Sequence, residues 1–158
     1  IDHSYRYAFS DSKNPKVLSL TRQDLDYLDF DIKYEEFIKG GYVVSDGDDF
    51  TLVASGSELE IAFKIKAALL EYSVRIISVP ILNKLSNMQN EEINELLKNK
   101  HVFPIELGRS IGWESYLGRI TKTFSIDSFG ESAPIEDLEK NFGFDVPSIT
   151  KEIIKYLN

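Results

Sequence analysis

The sequence predicts an α/β domain whose mostly parallel sheet is covered by helices on both faces. Three observations lead to that class. Short apolar runs alternate with segments of helical periodicity from Gly40 onward. Two of those runs, residues 50–54 and 74–79, flank a helical segment, and strand–helix–strand order implies a parallel pair. Glycine and proline punctuate the boundaries, with Gly56 after one run, Pro80 after another and Gly143 behind a helix.

Taken in order, residues 2–12 read as the end of a helix, with Tyr5, Ala8 and Phe9 on one face and Asn14 and Pro15 as its stop. Residues 16–20 read as a short buried strand. Residues 21–39 keep no clean apolar period and read as a linker with one helical turn near 34–38. Residues 42–44 and 50–54 read as a β-hairpin around Asp46-Gly-Asp-Asp49, with Gly47 supplying positive φ. That hairpin contributes the one antiparallel strand. Ser57 and Glu60 make the S-x-x-E pattern of a capping box. Ile61, Ile65, Ala68 and Tyr72 then carry a helix to about Tyr72.

Residues 74–79 form an apolar strand closed by Pro80, and 91–98 a helix with Ile93, Leu96 and Leu97 on one face. Residues 102–107 form a strand in which Pro104, lacking a donor, belongs toward an edge or an end. A short helix over 112–117 contains Trp113, and 120–126 is the last strand. Two helices, 134–141 and 147–157, each open on a proline, and Gly143 caps the first.

Composition narrows the function classes. A net charge of −8 repels phosphate backbones and anionic lipid, so neither nucleic acid nor membrane is an expected partner. The lack of cysteine excludes disulfides, thiolate zinc sites and thiol nucleophiles. No apolar run approaches the roughly 20 residues of a membrane helix, and no signal-peptide pattern opens the chain. The 158 residues suit one domain, or one domain and a piece of another. The chain starts at Ile1 and is expected to be part of a longer or processed protein.

Few residues carry a chemical signal of their own. Gly56 and Ser57 at a helix start offer free N–H groups to an anion, but without a G-x-G-x-x-G or Walker pattern they read as a turn and cap. Asp46, Asp48 and Asp49 lack the spacing of a calcium loop and read as a solvated turn. His3 and His101 lie far apart and read as surface or strand-end residues. Glu106 ends a strand, where it can meet a ligand or cap the turn that follows; Glu114 lies on the short helix next to Trp113. Arg22 stands just past residues 16–20, placed either to grip a phosphate or to pair with a neighbouring Asp. No nucleophile, base and oxyanion site come together.

Several segments, in order, resemble the end of a transketolase. Val17-Leu-Ser-Leu-Thr-Arg-Gln23 resembles the family's ALSRQ turn, Gly40-Gly-Tyr-Val-Val44 its GGYVL, and Leu52-Val-Ala-Ser-Gly-Ser-Glu58 its IATGSE. Val74-Arg-Ile-Ile-Ser-Val-Pro80 resembles VRVVSMP, and Gly112-Trp-Glu114 with Tyr116 and Gly118 resembles GWEKYVG. Asp127-Ser-Phe-Gly-Glu-Ser-Ala-Pro134 resembles TFGESAP, and Phe142-Gly-Phe144 resembles FGF. Ser132 and Ala133 before Pro134 separate this pattern from the related deoxyxylulose phosphate synthases and pyruvate dehydrogenase β subunits; a dihydroxyacetone synthase would share nearly all of it.

The resemblance implies a three-layer α/β/α fold with a five-stranded mixed sheet and one antiparallel strand. It implies that residues 1–22 end the preceding pyrimidine-binding domain, 23–38 are a linker, and 39–158 are the C-terminal domain. The complete enzyme would transfer a two-carbon ketol unit between sugar phosphates in the pentose phosphate pathway, with thiamine diphosphate and a divalent metal (Mg or Ca). Those cofactors are expected upstream of this chain, which would be inactive alone. The expected partners are the rest of the polypeptide, a homodimer mate and a sugar phosphate, in the cytoplasm. One site residue carries over: Arg22 matches the family's phosphate-contacting arginine. Thr21 stands where the family has Ser, and Asp24-Leu-Asp26 where it has Asn-Leu-Pro. The rival reading is a stand-alone regulatory or interaction module that binds a nucleotide or small anion near Ser55, Ser57 and Glu106. A split enzyme with the cofactor site on another chain is a third.

Overall fold

The computed structural model describes residues 1–158 other than Ser12, Arg22 and Asp29, and the backbone alone of Glu136. Five strands form one mixed sheet: β1 (Tyr42–Ser45), β2 (Phe50–Ala54), β3 (Val74–Ser78), β4 (His101–Glu106) and β5 (Phe124–Ser125). Their order is β1-β3-β2-β4-β5. β2 is parallel to β3 and β4, β4 is parallel to β5, and β1 alone is antiparallel, to β3.

Every residue of β2 and β3 is buried, and successive side chains go to opposite faces. Leu52, Ile76 and Phe103 meet α3 (Glu58–Ala68) and α7 (Val146–Leu157) through Leu59, Ile65, Ile149 and Ile153. Val53, Ile77 and Val102 meet α4 (Asn90–Leu97) and α5 (Trp113–Leu117) through Ile93, Leu97 and Trp113. The result is the three-layer α/β/α architecture that the resemblance implied. The C-terminal elements follow the sequence closely. Gly143 takes φ +65° behind α6 (Ile135–Asn141), where only glycine is unstrained. The Asp145 side chain caps α7 by accepting from Ser148 N at 3.0 Å.

The hairpin expectation is overturned. β3 lies between β1 and β2, so the 46–49 loop crosses the start of β3 instead of turning back on β1. Gly47 is not among the residues with positive φ. It is required because a Cβ there would lie 2.3 Å from the Val74 carbonyl carbon and 2.6 Å from Arg75 N. The loop's acids are engaged. Asp46 pairs with Arg75, Lys98 Nζ donates to Asp48 at 2.5 Å, and Ser73 N donates to Asp49 at 2.6 Å. A buried Asn99 completes the crossing by donating to Gly47 O at 3.0 Å and to Thr51 Oγ1 at 3.2 Å.

Residues 16–20 form no strand, and Val17 and Leu20 are exposed. A strand needs a neighbour for its N–H and C=O groups, and no described strand lies alongside this segment. The first helix, α1 (Asp2–Phe9), is shorter than expected. It packs against α2 (Tyr34–Phe37), the single turn expected in the linker. The His3 ring lies 5.6 Å from both the Tyr34 and Phe37 rings, and Arg6 sits over Tyr34 at 3.8 Å.

Three further boundaries differ. α3 stops at Ala68, with Leu69 as its C-cap, rather than at Tyr72. Residues 120–126 pair only at Phe124 and Ser125, against Ile105 and Glu106. Pro104 therefore sits in an interior strand, but at a position that the short β5 ladder does not reach. Ser57 makes no cap bond at α3; the capping box that forms is Gln89 with Glu92 at the start of α4.

Candidate functional site

Ligands of parallel sheets gather outside the carboxyl ends of the strands. Here β2 and β4 deliver Ser55, Ser57, Glu58 and Glu106 to that edge. Glu58, the first residue of α3, is buried and spans to the neighbouring strand: its Oε1 accepts from Leu107 N at 3.0 Å. Its Oε2 accepts from Ser57 Oγ at 2.9 Å, which takes up the hydroxyl expected to cap the helix. Glu106 Oε1 accepts from Gly108 N at 3.1 Å and so caps the turn after β4. Beyond it, Asp127 gathers Ser110 N at 3.1 Å, Ser110 Oγ at 3.2 Å and Ser125 Oγ at 2.6 Å.

These polar groups are committed to holding loops, and the edge carries two neighbouring carboxylates. The Glu106 carboxyl is pushed above its ordinary pKa, chiefly by burial and further by the charge of Glu58. The Gly108 N–H and the Trp113 side chain act in the opposite direction. Such an edge repels an anion. The adjacent hollow, about 280 Å³, mixes apolar side chains such as Leu107, Ile126, Leu138 and Phe144 with one cation, Arg109, and two acids, Glu131 and Glu139. The anion-binding reading of Ser55, Ser57 and Glu106 therefore finds no support in the geometry.

A raised carboxyl pKa has a defined sign in stability. The folded chain holds the Glu106 proton more tightly than the unfolded chain. The stability that Glu106 contributes is full below the ordinary Glu value of about 4.3 and is lost as pH rises through the raised folded value. Glu106→Gln removes that loss and keeps an acceptor for Gly108 N. The substituted chain is expected to gain on the parent between about pH 4 and pH 7, read as the difference in denaturant midpoints. A constant offset across that range would contradict the assignment.

The linker that follows Arg22 in sequence is tied back to the domain. Gln23 N donates to Thr21 Oγ1 at 3.1 Å, and Asp26 N donates to Glu60 Oε2 at 3.1 Å. Leu28 and Phe30 then pack on the core beneath α3 and α7. Arg22 itself lies outside the described residues. The sequence pattern assigned Glu60 to a helix cap and singled out no partner for Glu58. The structure gives Glu60 to the linker and Glu58 to the edge. Neither link leaves a local signal, because the partners of both acids lie dozens of residues away.

The histidines occupy ordinary places. His3 Nε2 lies 2.7 Å from Ile32 O, and His101 stacks on Phe103 at 6.4 Å. Among the described residues, no group of three or more His, Asp or Glu is placed to hold a metal ion. No helix among them is long and apolar enough to cross a membrane.

Comparison with known proteins adds a family to this geometry. The family model described as transketolase-like TK C-terminal domain matches residues 40–145. A transketolase of Bacillus subtilis is 34% identical over 98% of this chain, a span that is 25% of that protein. A solved transketolase from Leishmania mexicana superposes with a TM-score of 0.83 at 30% identity, over 95% of this chain and 22% of that one. A transketolase from Pichia stipitis solved with xylulose 5-phosphate gives 0.85 at 25% identity, over 98% of this chain and 23% of that one. The chain thus spans about a quarter of the length of the curated relatives it matches.

Proposed function

The chain belongs to the transketolase family, and from that premise we propose that it is the C-terminal portion of a thiamine-diphosphate-dependent transketolase. The complete enzyme moves a two-carbon ketol unit between sugar phosphates in the pentose phosphate pathway, as a cytoplasmic homodimer. The observation that carries this reading is the match of the family model through the whole sheet, from β1 to the start of α7. Residues 1–22 close the preceding domain in this reading, residues 23–38 link, and residues 39–158 form the C-terminal domain.

Thiamine diphosphate would supply the carbanion chemistry of the transfer, with a divalent metal on its diphosphate. The described residues do not fit either group. The acids of the 46–49 loop are tied to Arg75, Lys98 and Ser73, and the carboxyl edge presents Glu58 and Glu106 where a diphosphate would need donors. In this reading cofactor and metal belong to the rest of the enzyme. The role of this chain is a scaffold plus one phosphate ligand, the Arg22 guanidinium, which can hold two phosphate oxygens through parallel hydrogen bonds.

The test is Arg22→Ala in the complete enzyme. A charge-assisted contact is worth about 1.5–3 kcal/mol, so KM for phosphorylated sugars is expected to rise about 10- to 100-fold. KM for unphosphorylated sugars is expected to stay near the parent value. Equal losses on both substrate classes would remove Arg22 from the phosphate site.

A further inference from the structure

We infer that α1 is a two-faced clasp: its inner face is seated on the C-terminal domain, and its outer face docks into the polypeptide that precedes residue 1 in the complete enzyme. The inference rests on the proposed reading of this chain as the C-terminal portion of a longer transketolase. It begins from the two faces of an eight-residue helix. A helix advances about 100° per residue, so Ile1, Tyr5 and Phe9 share one side and His3 and Tyr7 lie directly opposite.

The inner side is engaged. The His3 ring lies 5.6 Å from both the Tyr34 and Phe37 rings of α2, and its Nε2 is 2.7 Å from Ile32 O. Phe37 is buried and carries the contact on to Tyr42, the first residue of β1, at 6.4 Å. Arg6 sits over the Tyr34 ring at 3.8 Å, and Lys84, just past β3, reaches over Tyr7 at 5.6 Å. A row of aromatic contacts therefore runs from α1 to the sheet.

The outer side is bare. Ile1 is 78% exposed, Tyr5 42% and Phe9 84%, and α1 has no buried residue. Apolar side chains scattered singly on a surface are ordinary, but a row at helical spacing marks a contact face. A helix shorter than about 12–15 residues is marginal in water unless packing holds it. The adjoining segment repeats the pattern: Val17 and Leu20 are exposed, and no described strand lies alongside their backbone. Helix and segment ask for the same cover.

The occupant follows from the relatives. The span matched by this chain is 25% of the Bacillus subtilis transketolase, and the matching family model is that of a C-terminal domain. In the proposed reading the remaining length stands before α1 and is joined to it. A partner tethered so closely docks at high effective concentration. The last helix of the preceding domain is then gripped from its other side by His3, Arg6 and Tyr7, and the scaffold role of this chain becomes a specific one: it braces that helix, so that the two domains move as one body.

The experiment uses the complete enzyme. Hydroxyl-radical labelling read by peptide mass spectrometry compares Phe9 in the native enzyme with Phe9 in the free peptide released by digestion. Native Phe9 is expected to react at least about 10-fold more slowly. Tyr34→Ala removes the inner seat and is expected to speed tryptic cleavage within residues 13–33 about 3- to 10-fold, with Phe9 still protected. Tyr34→Phe keeps the ring and is expected to be cleaved at close to the parent rate. Phe9 labelling as fast as in the free peptide would overturn the outer dock. Protection that disappears on dilution would give that face to a second copy and overturn it as well. Unchanged cleavage of Tyr34→Ala would overturn the inner clasp. A native polypeptide no longer than these 158 residues would overturn the parent reading, and this inference with it.

Discussion

Gly47→Ala is expected to destabilise the chain by on the order of 3 kcal/mol or more, a large share of the 5–15 kcal/mol typical of a domain. The added methyl would meet the Val74 carbonyl carbon at 2.3 Å, and Arg75 N and the Ser73 carbonyl carbon each at 2.6 Å. All three are backbone atoms at the start of β3, so no rotamer change relieves the clash. The loop cannot simply lift away. Asp49 N donates to Ser73 O at 2.9 Å, Asn99 holds Gly47 O, and Asp46 pairs with Arg75 across the same crossing. Moving the loop by the ångström required would break the Asn99 bond and leave a buried amide short of a partner. Gly130→Ala is the control, since a Cβ there meets nothing within 4 Å and its effect should stay within about 0.5 kcal/mol. Chemical denaturation followed by far-ultraviolet circular dichroism reads both. A Gly47→Ala midpoint equal to the control would show that the crossing is looser than its contacts indicate.

Trp113→Ala is the second large effect, expected to cost about 3–5 kcal/mol. Trp113 is 1% exposed, and it packs in the cluster with Val53, Ile77, Leu97 and Val102 beneath α4 and α5. Its loss leaves a void that β2 and β3 cannot collapse to fill, because both strands are pinned on their other face by α3 and α7. Trp113→Phe retains most of the ring volume and is expected to cost clearly less. Because Trp113 is the one tryptophan of the chain, circular dichroism rather than tryptophan emission must report these transitions. Equal losses for Ala and Phe would mean that the indole N–H, which also lowers the Glu106 pKa, matters more than its volume.

Much of the site was readable only in part. The carboxyl edge was legible as a place, because a strand followed by Ser-Gly-Ser and a helix marks it in any parallel sheet. Its chemistry was not. Ser57 with Glu60 satisfies the capping pattern, yet Glu58 takes the serine hydroxyl and Glu60 serves Asp26 and Lys64. Two acids within one helical turn, Glu58 and Glu60, compete for few donors, and partners elsewhere in the fold settle the outcome. Arg22 was singled out by its place just past residues 16–20, but only the resemblance favoured a phosphate over a neighbouring Asp as its partner.

By itself the sequence determined the layers, the helix positions and the family. Those rest on local information: the burial period of each segment, the proline and glycine stops, and an ordered set of short motifs. The tertiary structure decided the strand order, the real reason for Gly47, and the absence of a strand at residues 16–20. It also decided which acid serves which donor. Each of these depends on groups far apart in the chain. Asp46 and Arg75 are separated by 29 residues, Thr51 and Leu97 by 46, and Gly47 and Asn99 by 52. A turn signal reports only that the chain reverses. Which strand lies beside it is fixed by the buried faces that must meet, and that choice is made when the whole sheet closes.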